Sequence, residues 1–138
     1  MKRHPALQAL SREHHGALVL ALACTRAASS GNEEKIHAAC ERVAHQFNTD
    51  LEPHFCQEET ALLPLLQDAG QSELVSRTQD EHAHLRALAR QLSERDTSCL
   101  NEFGKALSDH VRFEEQKLFP AAEQVIPIDL LVTALSTV

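Results

Sequence analysis

A short motif with the spacing of a metal site occurs twice in this chain. His54 is followed four residues later by Glu58, and His110 is followed four residues later by Glu114. In both copies an apolar residue and a proline stand five and six residues after the glutamate. Because an α-helix turns once in roughly 3.6 residues, side chains at positions i and i+4 lie on one face. Two such copies on facing helices would bring two imidazoles and two carboxylates together.

Each half of the chain also carries a lone histidine before the motif. His82 precedes His110, His14 precedes His54, and both lone histidines directly follow a glutamate. The ligand on the first helix could be either His14 or His15. His14 continues the apolar stripe of its helix and matches the Glu-His pair in the second half, so the pattern favours it, while His15 aligns with other apolar residues.

The candidate metal ligands fall at helix positions that would normally carry leucine or alanine: His14 or His15, His54, Glu58, His82, His110 and Glu114. A buried polar group without a partner costs roughly 1–3 kcal/mol, so a cluster of this size is best explained by bound metal. Imidazoles and carboxylates without a thiolate suit iron, manganese or zinc, and two carboxylates placed to bridge suit a metal pair. We therefore expect two iron ions, with zinc or manganese as alternatives, and identify no separate catalytic residue.

Four long helices are needed to position these residues. The apolar spacing predicts helices over about 5–29, 33–70 and from 72 onward, with Ser72 as an N-cap candidate and a kink at Pro53. Asp96 is expected to cap the fourth helix, and a short fifth helix follows Pro127. Short connections between long helices predict an all-α, up-down-up-down four-helix bundle with a short C-terminal helix, forming a single domain over 1–138.

Composition narrows the possible functions. The chain has 138 residues and no tryptophan or tyrosine. Because its net charge is −7, nucleic acid and anionic membranes are not expected partners. No apolar run is long enough to span a bilayer. Four scattered cysteines without a Cys-x-x-Cys pair indicate reduced thiols and a cytoplasmic protein. The sequence identifies no protein partner.

The order of these ligands, from about residue 5 to 120, resembles the hemerythrin-like family (the HHE cation-binding domain). The resemblance implies a non-haem di-iron centre bridged by Glu58 and Glu114, with dioxygen or another small diatomic molecule as its ligand. It favours a soluble protein with a binding or sensing role. The alternative is a di-iron enzyme with oxidase, peroxidase or nitric oxide chemistry, or an iron-handling protein.

Two departures from the oxygen-carrying members of that family bear on the role. Those proteins have two histidines one turn apart on the third helix, whereas Thr78 stands one turn before His82 here. Their last carboxylate lies five residues after its histidine, whereas Glu114 lies four after His110, with Glu115 at five. One imidazole fewer leaves an exchangeable metal position and argues against reversible oxygen carriage.

Two further expectations follow from the helical positions. The exchangeable position is expected to face an apolar pocket lined by Leu18, Phe47, Leu85 and Phe103. Glu59 and Glu115 stand about 100° further round their helices than the bridging glutamates, so their removal is expected to change little.

Overall fold

The computed structural model describes residues 3–136, which form five helices and no strands. The helices are α1 (Pro5–Ser30), α2 (33–68), α3 (Ser72–Ser93), α4 (Thr97–Val125) and α5 (Ile128–Ser136). Helix α1 packs against α2 and α4, and α3 packs against the same two helices. The connections contain only two or three residues, which places consecutive helices antiparallel. The predicted all-α bundle with a short C-terminal helix is confirmed.

Local chemistry explains most of the helix ends. Helix α1 ends before Gly31, whose positive φ of 65° suits a residue without a side chain. The side chain of Asn32 caps α2, and that of Asp96 caps the 3₁₀ turn that opens α4. Ser72 is not an N-cap, because it is the first helical residue of α3 and Gln71 occupies the cap position without a side-chain hydrogen bond.

Helices α2 and α4 widen into π turns at three places: Phe47–Leu51, Glu58–Leu62 and Glu114–Leu118. Each π turn ends two residues before a proline. A proline has no N–H to donate, and its ring crowds the carbonyl four residues earlier. The preceding turn therefore closes with an i to i+5 hydrogen bond, such as the one donated by the N–H of Leu63 to the carbonyl of Glu58. The kink predicted at Pro53 takes this form.

The core consists of two apolar clusters with a polar layer between them. In α1 and α3 the residues of one cluster precede the polar residues and those of the other follow them. In α2 and α4 the first cluster reaches one residue past the histidine of the motif, to Phe55 and Val111, and the second cluster lies mostly after the glutamate. The layer contains seven buried polar residues: His14, His54, Glu58, Thr78, His82, His110 and Glu114. Helix α5 closes the second cluster, packing against α1 and the π turn at Glu58–Leu62 through the buried Leu131.

Within residues 3–136 no single helix is both long enough and apolar enough to cross a membrane. In the same residues one pair of helices, α4 with α5, reaches that length and hydropathy together, and the chain bends by 116° between them.

Candidate metal centre

Six side chains of the polar layer converge at one point in the bundle. They form two overlapping groups whose ligand atoms lie within 4.8 Å of one another: His14, His54, Glu58 and Glu114 in the first group, and His82, His110, Glu58 and Glu114 in the second. Glu58 and Glu114 belong to both groups, and both are fully buried. Two histidines therefore flank each side of a shared carboxylate pair, which is an arrangement suited to two neighbouring cations.

The Nε2 atom of every histidine in the cluster is turned toward these carboxylates. His14 Nε2 lies 2.8 Å from an oxygen of Glu114, and His82 Nε2 lies 3.0 Å from an oxygen of Glu58. Within each His-x-x-x-Glu motif the separation is similar, at 3.2 Å for His54 and 3.1 Å for His110. The i, i+4 spacing thus directs both groups of each motif to the same point, as predicted.

Four atoms at the centre lack a well-oriented hydrogen-bond partner within the described residues. They are Nε2 of His54 and of His110, Oε2 of Glu58 and Oε2 of Glu114. Each unsatisfied buried group costs about 1–3 kcal/mol. One nitrogen and one oxygen come from each His-x-x-x-Glu motif, and all four atoms are of types that coordinate cations. The donor set therefore fits a pair of cations at this site.

An outer ring of carboxylates holds the other nitrogen of each imidazole. The Nδ1 atoms make hydrogen bonds of 2.6–2.8 Å in four pairs: His14 with Glu115, His54 with Glu13, His82 with Glu59, and His110 with Glu81. A carboxylate can only accept, so each Nδ1 carries the hydrogen, and in the neutral ring the lone pair is on Nε2. This fixes the tautomer that a metal requires.

Arginines hold three of the four outer carboxylates. Arg86 donates to both oxygens of Glu59 at 2.8 and 3.0 Å, and Arg77 donates to Glu81 at 2.8 Å. Arg3 donates to Glu115 at 3.1 Å. Burial raises the pKa of each of these carboxyls, but the hydrogen bonds and charges of their partners outweigh it and hold the pKa below the usual value. Glu13 makes no ion pair with an arginine in residues 3–136, and its side chain is 52% exposed.

The carboxylates also increase the proton affinity of the imidazoles. Burial lowers the pKa of His54, but the charge of Glu58 and hydrogen bonds to neighbouring carboxylates outweigh it and raise the pKa to about 12. The same balance raises the pKa of His82 to about 9 and that of His110 to about 10. A cation must therefore displace protons from these rings when it binds.

The two shared carboxyls shift in opposite directions. Burial and the charge of Glu114 raise the pKa of Glu58. Burial also opposes ionisation of Glu114, but the charge and hydrogen bond of His110, with hydrogen bonds from other imidazoles, hold its pKa well below the usual value. Two carboxyls at one buried site cannot ionise equally easily, because their charges repel.

The structure brings six of the seven predicted site residues together and leaves out His15. His14 is buried in the cluster, whereas His15 is exposed. His84 is also exposed, with its Nε2 3.3 Å from Glu102. The hydroxyl of Thr78 donates to the carbonyl of Leu74 in its own helix, so α3 offers His82 as its one imidazole at this layer. The role of the six clustered residues as metal ligands remains a prediction.

One sequence-based expectation about the surroundings, the lining of the pocket, is wrong. Leu18 is 42% exposed and cannot line an internal pocket, and Phe47, Leu85 and Phe103 belong to the packed apolar core. Glu59 and Glu115 each hold a histidine of the cluster, which argues against the expectation that their removal changes little. The effect of removing them stays a prediction. The sequence did contain a signal for these outer carboxylates: a second acidic residue stands directly beside His14, His82 and both central glutamates.

A cavity of about 350 Å³ connects the centre with the surface between α1, α2 and α4. Its rim is exposed and mostly polar: Arg12, Glu13, Gly16, Thr49, Asp50 and Pro53, with the half-buried Gln46. Its inner walls are buried and apolar: Ala17, Leu51, Phe55, Leu107 and Val111. The inner end is formed by His14, His54 and His110. A small molecule could therefore reach the histidines from solvent by this route.

Comparison with known protein families gives one match. The family model described as the hemerythrin HHE cation binding domain matches residues 6–122, which include all six clustered residues and the outer carboxylates. Comparisons with curated protein sequences and with solved structures found no significant match.

Proposed function

Because the chain belongs to the hemerythrin HHE cation-binding domain family, we propose that it is a di-iron protein that binds dioxygen or a related small molecule in a binding or sensing role. The observation that carries this proposal is the pair of ligand groups that share Glu58 and Glu114. Two cations held by shared carboxylates would satisfy all four orphaned atoms of the centre. A single cation in one ligand group would leave the Nε2 atom of His54 or of His110, whichever lies in the other group, without a partner.

The ligand types support iron as the metal, with zinc or manganese as alternatives. Each position would receive two imidazoles and two carboxylate oxygens, and no cysteine lies in either group. Iron held there would supply a reversible change of oxidation state and an exchangeable coordination position. The protein's own contribution is to orient each Nε2 through the outer carboxylate on Nδ1 and to exclude bulk water with the two apolar clusters.

A binding or sensing role is favoured over reversible oxygen carriage. Thr78 is committed to its own helix, so α3 supplies one imidazole where oxygen carriers are expected to have two. The chain also lacks tyrosine and tryptophan, which commonly relay electrons in demanding oxidations, so a binding or sensing role is also favoured over such enzyme chemistry.

A cytoplasmic location is part of the proposal and is supported by four cysteines that form no disulfide.

Metal content tests the proposal directly. Protein expressed with iron available should contain about two iron atoms per chain by elemental analysis. Glu58→Ala should lose at least one of them, because Glu58 belongs to both ligand groups. Glu41→Ala, which removes an exposed carboxylate from the same helix, should keep both. One tightly held zinc per chain after iron-replete expression would contradict the di-iron assignment.

Ligand binding is tested by adding oxygen to the reduced protein. The anaerobic protein should show an immediate change in its near-ultraviolet and visible absorption on exposure to oxygen. A product that then decays would support sensing or turnover. A stable product that releases oxygen under vacuum would instead indicate carriage and contradict the role assigned here. No optical change despite bound iron would favour iron handling.

A further inference from the structure

The two halves of the bundle are related by an internal repeat, so each residue near the centre has a counterpart. Adding 68 to a residue number in α1 gives its counterpart in α3, as for His14 and His82. Adding 56 to a number in α2 gives its counterpart in α4, as for His54 and His110. The two grooves that flank the centre, α1 with α2 and α3 with α4, can therefore be compared position by position.

The counterparts differ most where a side chain could close the groove. His84 in α3 lies 3.3 Å from Glu102 in α4, so this pair spans the second groove. The counterparts of these two residues are Gly16 and Gln46, and Gly16 has no side chain with which to reach across. The next position repeats the contrast, with the fully packed Leu85 in the second half and the small Ala17 in the first.

The backbone differs in the same direction. Pro53 causes the π turn at Phe47–Leu51, and three residues of that turn line the cavity or its rim. Its counterpart in α4 is Asp109, and α4 is a regular α-helix from Leu100 to Phe113. The second groove also holds a cavity, of about 660 Å³, and it reaches His110. The lining of that cavity is mostly exposed and charged, and Leu85 is its one buried apolar residue among those described. The cavity of the first groove has five buried apolar residues in its walls, so it is the one that leads inward between packed side chains.

Gly16 has no packing reason to be glycine. It lies within α1, and a Cβ atom added there would meet nothing within 4 Å. An interior helix glycine costs roughly 0.5–1 kcal/mol relative to alanine. In contrast, Gly104 is required for close packing, because a Cβ there would lie 2.8 Å from the carbonyl oxygen of Ala21. Gly16 therefore leaves room at the cavity rim that a longer side chain could fill, as His84 does at the counterpart position.

We propose that the cavity beside Gly16 and Ala17, with its buried apolar walls, is the access channel through which small uncharged molecules reach the centre. Its buried apolar walls suit an uncharged diatomic molecule, because a charged one would lose its hydration there. The rim carries two acidic side chains, Glu13 and Asp50, against one basic side chain, Arg12, so it does not attract anions. The channel ends at His14, His54 and His110 and does not include His82, which is stacked on Phe55 with ring centres 4.0 Å apart. Small molecules therefore arrive on the side of the His14 and His54 ligand group. This inference rests on the proposed function.

The decisive variant gives the first groove large side chains at the two positions where the second groove has His84 and Leu85. Gly16→Gln with Ala17→Leu supplies a long side chain that can span to Gln46 and a wall residue as large as Leu85, without adding an imidazole. Stopped-flow mixing of the reduced iron protein with dissolved oxygen should show a rate at least tenfold lower than that of the original chain. Gly16→Gln alone, at an exposed position, should give a smaller decrease and covers the case in which the double variant is poorly folded.

Two control variants locate the effect. Gly16→Ala adds one methyl group to the rim and should leave the rate within about twofold, while Ser76→Phe adds bulk to the α3–α4 groove and should leave it unchanged. Iron content and thermal unfolding are measured for every variant. A double variant with full iron content and the original rate would overturn the proposal, and so would a rate lowered by Ser76→Phe.

A second measurement does not depend on iron. Dissolved oxygen is paramagnetic and speeds the relaxation of nearby methyl protons, so NMR of the iron-free chain under oxygen pressure reports where oxygen enters. The methyl groups of Leu107 and Val111 should respond more than that of the equally buried Leu88, and Gly16→Gln with Ala17→Leu should abolish the difference. Equal responses would reject the channel. Preferred access at Val111 in a chain that binds no iron would retain the channel and reject the di-iron function.

Discussion

Removing Glu59 should weaken metal binding even though Glu59 is not expected to touch a metal. Its carboxylate accepts from Nδ1 of His82 at 2.7 Å, and Arg86 holds both of its oxygens. In Glu59→Ala the imidazole loses the partner that fixes its tautomer and orientation. Loss of such a partner typically lowers metal affinity by about 10–100-fold, or about 1.4–2.7 kcal/mol at 25 °C. Arg86 keeps its two hydrogen bonds to Glu52, so the change should act mainly through His82.

The assay is a competition between the protein and a chelator of known affinity, followed by metal analysis. Glu59→Gln should fall between the original chain and Glu59→Ala, because its amide oxygen can still accept from Nδ1 but carries no charge. Glu41→Ala removes an exposed carboxylate of the same helix and should match the original chain. If Glu59→Ala retained metal as tightly as Glu41→Ala, the outer carboxylates would have no role in positioning the histidines.

Three further outcomes follow from the structure. The pKa values of His82 and His110, about 9 and 10, exceed the value of about 6.5 expected in the unfolded chain. The metal-free chain should therefore have the full stabilisation from these two groups below pH 6.5 and lose it as the pH rises through 9–10. Thermal unfolding at several pH values measures this loss. Because metal displaces the same protons, apparent metal affinity should rise with pH over that window, measured by chelator competition in matched buffers. Gly16→Ala should stabilise the chain by about 0.5–1 kcal/mol, because alanine favours a helix interior more than glycine does. Gly104→Ala should destabilise the chain by about 1–3 kcal/mol, because the added Cβ at position 104 would lie 2.8 Å from two atoms of α1. Chemical denaturation of the two variants measures both changes.

The parts of the fold and centre that could be predicted from sequence depend on spacing within one helix. His54 with Glu58 and His110 with Glu114 each lie one turn apart, so their convergence needs only helix geometry. The choice of His14 over His15 also follows from the apolar stripe of α1. Short connections were then sufficient to predict a four-helix bundle.

What could not be predicted depends on how the helices are rotated against each other. Glu59 holds His82 on α3, and Glu115 holds His14 on α1; neither pairing is visible from the spacing within α2 or α4. The sequence analysis places Leu18 in the lining of the pocket as an apolar stripe residue of α1. Helix α1 instead approaches α4 closely at Gly104, beside Ala21, which leaves Leu18 at the outer edge of the contact.

The π turns at Glu58 and Glu114 give α2 and α4 places where the length of the chain can change. A turn closed by an i to i+5 hydrogen bond contains one residue more than an α-helical turn, so it has the effect of a single-residue insertion. Deleting one residue between Glu58 and Pro64 would remove that extra residue, and the turn could then close as an α-helical turn. Leu66, which is fully buried, would keep its place in the second apolar cluster. A deletion in a regular α-helical part of α2 would instead rotate every later side chain by about 100°. Single-residue deletions should therefore be tolerated better within these π turns than elsewhere in the same helices.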